Sequence, residues 1–241
     1  MPSVPDQLMP VSAGIGLLGG TFDPLHNGHL AVARAVRDRL GLERVLLIPA
    51  PRPPHKLHHP ITPFVLRTAM IQASLAGDPS FALSLIEEET KGPSYSIDTL
   101  ERLATILGPR PPYFITGADA FIDIASWKRY RDLPRLTNLV VVNRDDEALA
   151  GRPEGVIARF FPEFQATGAG RWRAPGLPGA ILLVTMPRVD ISSTRVREMV
   201  RRGEEISGVV PLPVVEAIAR HGLYGVTNQH GWTISASLNE A

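Results

Sequence analysis

The chain has 241 residues, with 25 Lys and Arg against 24 Asp and Glu, a formal net charge of +1. At 44% hydrophobic and 20% charged it has the apolar material for a core, and it lacks the global basic field of a nucleic-acid binder. It has no cysteine, which excludes a disulfide framework, a thiolate nucleophile and any Cys-built metal site, and is compatible with a reducing, cytoplasmic setting.

The opening residues MPSVPDQLMP have no basic flank and no apolar run, so they do not read as a signal peptide. Nowhere do apolar residues run long enough to predict a membrane span. Gly14 to Gly20 predicts a short strand ending in glycines. Leu30, Ala33, Val36 and Leu40 keep helical spacing, and Gly41 stops that helix. Val45 to Ile48 reads as a buried strand, followed by a stiff basic loop that holds Pro53, Pro54, His55, Lys56, His58 and His59. At Thr62-Pro63 a capping side chain precedes a proline, predicting a helix to about Gly77.

The rhythm then repeats. Phe81 to Ile86 predicts a strand, Ser96 to Leu107 a helix and Tyr113 to Thr116 a strand. A helix is expected from about Asp119 to Leu133, then a strand at Leu139 to Val142. Residues 145–179, rich in Gly, Pro and Arg, predict a long connection with one helical turn near Phe160. Ile181 to Val184 is the last expected strand, with helices near 193–202 and 211–221. Such alternation predicts an α/β fold: a Rossmann-like, doubly wound parallel sheet of five to six strands with helices on both faces. One domain is expected over 14–225, with flexible tails at 1–13 and 226–241. Ligands of such sheets bind beyond the carboxyl ends of the strands, at the topological switch point.

Two loops carry the chemistry. Gly14, Gly16 and Gly19 formally match GxGxxG, but the first two precede or begin the strand, and no acid closes the second strand; a dinucleotide site is disfavoured. The loop does place His26 and His29 three residues apart where a helix starts, with Gly28 between them. Imidazoles beside unpaired helix-start N–H groups suit a phosphate, and Gly19 and Gly20 would let it approach. Structural capping, or a zinc site completed by Asp23 and His55, remain readings of the same pair. Near the end, Ile191-Ser192-Ser193-Thr194-Arg195-Val196-Arg197 gathers hydroxyls and guanidinium groups at another helix start. It suits a polyphosphate or is an N-cap with a solvated basic face.

These segments resemble a known family. GGTFDPLHNGH and ISSTRVR are similar to the two signature motifs of the nucleotidyltransferase superfamily, in particular bacterial nicotinate-nucleotide adenylyltransferases. The likeness continues through Pro53-Pro54-His55-Lys56, Ser94-Tyr95-Ser96, Gly117-Ala118-Asp119, Ser126-Trp127 and His221-Gly222-Leu223-Tyr224. It implies transfer of AMP from ATP to nicotinate mononucleotide, giving deamido-NAD and pyrophosphate, with magnesium carried on the ATP phosphates and no dedicated protein metal site. By the same resemblance His26, His29 and Arg197 are catalytic. Gly19, Gly20, Thr21, Phe22, Lys56, Gly117, Asp119, Ile191, Ser192, Ser193 and Thr194 bind ATP. Tyr95, Ser96, Trp127 and Lys128 meet the acceptor, the ring stacking on Trp127 and its carboxylate meeting backbone N–H groups. An acceptor of phosphopantetheine or the amidated nucleotide, and a non-catalytic nucleotide-binding module, stay as alternatives. The partners are small molecules, with neither nucleic acid nor membrane expected and homo-oligomerisation left open.

Overall fold

The computed structural model describes residues 14–57, 59–143 and 151–225. The continuous apolar runs form the centre of one sheet: β1 (Ile15–Gly20), β2 (Arg44–Pro49), β4 (Tyr113–Gly117), β5 (Asn138–Asn143) and β8 (Ala180–Thr185). With β3 (Phe81–Leu83), β6 (Gln165–Gly168) and β7 (Arg171–Arg173) the order is β3-β2-β1-β4-β5-β8-β7-β6. The first six pair in parallel, whereas β7 and β6 add antiparallel.

Successive strand residues point to opposite faces, and the core divides accordingly. Leu18, Leu47 and Val140 pack with Val36 of α1 (Asn27–Leu40), Ile71 of α2 (Phe64–Leu75), Val196 of α7 (Ser193–Arg201) and Ile218 of α8 (Leu212–His221). Their neighbours Leu17, Leu46 and Leu139 pack on the other face. There they meet Leu103 of α3 (Ser96–Leu107), Phe121 of α4 (Ala118–Ile122), Leu133 of α5 (Leu133–Leu136) and Ile157 of α6 (Arg152–Phe160). The chain winds outward from β1 to β3, then returns to pair β4 on the free side of β1. The switch point therefore lies between β1 and β4, whose following loops open side by side.

Several expectations need correction. The sheet has eight strands rather than five to six. The surplus comes from the supposed connection, where α6 is nine residues long and β6 and β7 form a hairpin on the edge of β8. All four β6 residues are exposed, so no apolar alternation announces a strand; the ladder from β8 creates it. The helix expected over 119–133 is broken. α4 ends at Ile122, and single 3-10 turns follow at Ile124–Ser126 and Tyr130–Asp132, with Arg129 left-handed at φ 51° between them. The strand from Phe81 stops at Leu83. Thr62 does not cap α2, because its hydroxyl donates to the Tyr224 hydroxyl at 3.1 Å. The expected tails, His58 and residues 144–150 lie outside the described residues.

Candidate active site

The loop after β1 turns sharply: Phe22 is left-handed at φ 49° and buried, and its ring lies over Gly20, where a Cβ would come within 3.1 Å of it. Part of the reason for that glycine is thus internal packing. His26 is the N-cap of α1 and is buried, while His29, one turn later, faces the cavity at the switch point. The two imidazoles stack, centroids 3.6 Å apart, and Phe22 meets His29 edge-on at 4.9 Å. The His26 backbone N–H donates to His29 Nδ1 at 3.2 Å. In the neutral ring this puts the proton on Nε2.

The helix start offers fewer backbone donors than its sequence suggests. The Asn27 N–H donates to the Val209 carbonyl at 2.9 Å, and the His29 N–H returns to the His26 carbonyl at 2.9 Å. What it presents to a ligand is imidazole.

The turn ahead of α7 docks directly on this loop. Ser193 Oγ donates to the Pro24 carbonyl at 3.0 Å, and Arg197 Nη1 donates to the Asp23 carbonyl at 2.7 Å. A Cβ on Gly28 would fall 2.8 Å from Ile191 Cγ2 and 3.0 Å from His26 Nδ1, so that glycine is the point where the two loops touch. Two hydroxyls serve this scaffold. Ser192 Oγ accepts from the Arg195 N–H at 3.2 Å as the N-cap, and Thr194 Oγ1 accepts from Arg197 Nη2 at 3.2 Å. Arg195 turns outward to Asp190 at 2.8 Å. Lys56 approaches from the loop after β2. Burial lowers its ammonium pKa, Arg197 lowers it further, and Asp23 opposes them.

A cavity of about 420 Å³ runs along the ends of β1, β2 and β4. Gly19, Gly20, Thr21, His29 and His55 line one side, and Gly117 and Asp119 the end of β4. The Asp119 carboxylate folds back over Gly117, close to where a Cβ would stand. Tyr95, Ser96, Trp127 and Lys128 form the far wall. Trp127 stands edge-on to Phe114 at 6.1 Å, and Lys128 lies 4.9 Å above the Tyr95 ring while pairing with Asp98 at 2.8 Å. The Trp127 N–H is already committed to the Ile124 carbonyl at 3.0 Å. Phe22, His26, Lys56, Ile191, Ser192, Ser193, Thr194 and Arg197 are not among the residues that line the cavity.

In the sequence Tyr224 is only part of a closing motif with no role, and Arg67 and Glu87 belong to no motif. Tyr224 donates to Asp23 Oδ1 at 2.7 Å, and the Thr62 N–H donates to Asp23 Oδ2 at 3.4 Å, tying the last described turn to the loop after β1. Arg67 is wholly buried behind the wall. Its only signal was a cation at the apolar spacing of Met70 and Ile71. Glu87, buried at the far wall, accepts from Thr99 Oγ1 at 2.5 Å, and burial raises its carboxyl pKa. Among the described residues no three His, Asp or Glu side chains gather as a metal-ligating set. Asp23, the acid that a zinc reading needs, is taken up by Tyr224 and Thr62.

The family described as cytidylyltransferase-like matches residues 17–199. Proteins named "probable nicotinate-nucleotide adenylyltransferase" are similar over nearly their whole length. That of Geotalea uraniireducens is 38% identical over 87% of this chain and 97% of its own. That of Trichlorobacter lovleyi is 39% identical over 87% and 98%. In fold the chain is similar to the Plasmodium falciparum nicotinic acid mononucleotide adenylyltransferase complexed with NaAD, with TM-score 0.66 and 17% identity over 89% of this chain and 98% of that one. The chain belongs to the cytidylyltransferase-like family and, within it, to the nicotinate-nucleotide adenylyltransferases.

Proposed function

We propose that this protein transfers the adenylyl group of ATP to nicotinate mononucleotide, releasing pyrophosphate and deamido-NAD. The observation that carries the reading is the docking of the Ser193–Arg197 turn on the Asp23–His29 loop, beside one end of a cavity whose other end is aromatic. A polyphosphate fits the first end and a flat pyridine ring the second.

The reaction is an in-line displacement. An oxygen of the acceptor's 5′-phosphate bonds to the α-phosphorus of ATP as the bond from that phosphorus to the bridging oxygen of the β-phosphate breaks. No enzyme atom bonds covalently, so the residues act by alignment and by stabilising charge. His29 Nε2–H, with His26 stacked behind it, would donate to the phosphates in the transition state. Lys56 and Arg197 would hold the departing pyrophosphate, with Ser192, Ser193, Thr194 and Ile191 fixing the turn that delivers Arg197. Gly19, Gly20, Thr21 and Phe22 would bed the nucleotide, and Gly117 and Asp119 would receive the adenosine ribose, a carboxylate accepting from its hydroxyls. Tyr95, Ser96, Trp127 and Lys128 would receive nicotinate mononucleotide. Magnesium would enter with ATP as part of the substrate and would supply charge neutralisation on the phosphates. A cytoplasmic place suits a cysteine-free user of ATP.

The test is an acceptor comparison. With ATP and magnesium, nicotinate mononucleotide should release pyrophosphate at least about tenfold more efficiently than its amide analogue, the discrimination about 1.4 kcal/mol supplies. Equal efficiencies would defeat the stated specificity, and no release with either would defeat the reaction.

A further inference from the structure

Arg67 is the largest fully buried side chain of the described residues, with no exposure to solvent. It lies on the inner face of α2, its guanidinium 5.4 Å from the Phe64 ring centroid. Nε donates to the Thr62 carbonyl at 2.9 Å, and Nη1 donates to both the Thr21 carbonyl at 2.6 Å and the Ala50 carbonyl at 3.0 Å. Nη2 is buried with no hydrogen-bond partner, and among the described residues Arg67 makes no ion pair. Burying a guanidinium this way is costly unless a negative charge offsets it. The acid that acts on it, Asp23, also acts on Lys56, so two cations share one carboxylate. The Asp23 carboxylate is hydrogen-bonded by Tyr224 and Thr62, not by either of these cationic side chains.

The place of the two carbonyls gives this surplus a purpose. Thr21 and Ala50 line the cavity at the ends of β1 and β2, while Arg67 stands behind that wall. A carbonyl oxygen turned toward a triphosphate would repel it. We propose that Arg67 is a positioning residue of the phosphate end: its Nη1 draws the Thr21 and Ala50 carbonyls back into the wall and its guanidinium adds a buried positive charge with no ion pair among the described residues, so that the subsite is preorganised for a polyphosphate. This rests on the polyphosphate reading of that end, not on the identity of the acceptor. Lysine would keep the charge but not the second nitrogen, Nε, that anchors the group on the Thr62 carbonyl while Nη1 holds the other two.

The experiment compares Arg67→Lys and Arg67→Met with the wild-type chain. It measures inorganic tripolyphosphate affinity by calorimetry, alongside KM for ATP and for the acceptor, at a temperature where each variant is folded. Tripolyphosphate affinity and KM for ATP should weaken about tenfold or more in Arg67→Met, a loss typical of a charge-assisted hydrogen bond, and less in Arg67→Lys. Acceptor KM should stay within about twofold. If Arg67→Met does not fold, Arg67→Lys decides alone, and a loss of about threefold or more in tripolyphosphate affinity supports the role. Wild-type tripolyphosphate affinity in the folded variants, or equal weakening for phosphate and acceptor, would overturn it. Wild-type protein that binds tripolyphosphate but adenylylates no acceptor would sink the proposed reaction and leave this inference standing.

Discussion

His29 is fixed at one nitrogen by a backbone N–H and at one face by His26, and so presents a single donor in a set direction. Losing such a preorganised donor is costly in the transition state rather than in binding. His29→Ala should lower kcat by about two orders of magnitude with a smaller change in KM for ATP, measured by steady-state pyrophosphate release. Lys56 makes a different prediction. Burial and Arg197 hold its ammonium pKa below 10.5, so in the free enzyme its charge is lost at lower pH than for an ordinary lysine. The profile of kcat/KM for ATP should therefore fall on its alkaline side. The Lys56→Arg variant, whose guanidinium stays charged there, should flatten that limb. Both residues were legible from HxGH and PPHK. Arg67 was not, because one cation in an apolar helix face carries no motif, and only three carbonyls from the two loops after β1 and β2 explain it.

Among the elements, α7 and the 3-10 turn at Leu223–Gly225 matter because they reach back to the first loop. Tyr224 closes that contact from a left-handed conformation at φ 61°, donating to the buried carboxyl of Asp23. Tyr224→Phe keeps the ring and removes the donor. It should cost about 1.5–3 kcal/mol of stability, read from the urea midpoint, as expected for a hydrogen bond to a charged group. An unchanged midpoint would mean that Thr62 satisfies Asp23 alone. The central parallel strands were readable because burial on both faces demands unbroken apolar runs. The β6–β7 hairpin was not, since its exposed residues record no burial pattern. Nor was the fragmentation after α4, where Arg129, left-handed, pairs with Glu101 and Asp132 at 2.8 Å each.

At the scale of the whole molecule, stability should carry the mark of Glu87. Burial lifts its carboxyl pKa above the ordinary 4.5, so the folded chain binds this proton more tightly than the unfolded one. Stability from this group is full below about pH 4.5, falls as pH rises through the raised value, and is level beyond it. Thermal unfolding of Glu87→Gln should lack that decline, so that the variant gains on the wild-type chain between acid and neutral pH. Parallel curves would show that Glu87 ionises without penalty.

The amino-acid sequence by itself determined the parallel α/β layering, through apolar periodicity. It also determined the two phosphate-friendly turns, through residue types whose chemistry is local to a few positions. Only the tertiary structure decided that those turns meet, because Pro24 and Ser193 are far apart in the chain and are joined by a sheet that reverses between β1 and β4. It also decided which donors remain for a ligand. Hydroxyls and helix-start N–H groups look available in a sequence, but the Ser193 hydroxyl and the Asn27 N–H are occupied in holding the loops together, whereas Ser192 and Thr194 only accept there and keep their O–H donors. Imidazole, cationic side chains and the Ser192 and Thr194 hydroxyls are what those loops bring to the site.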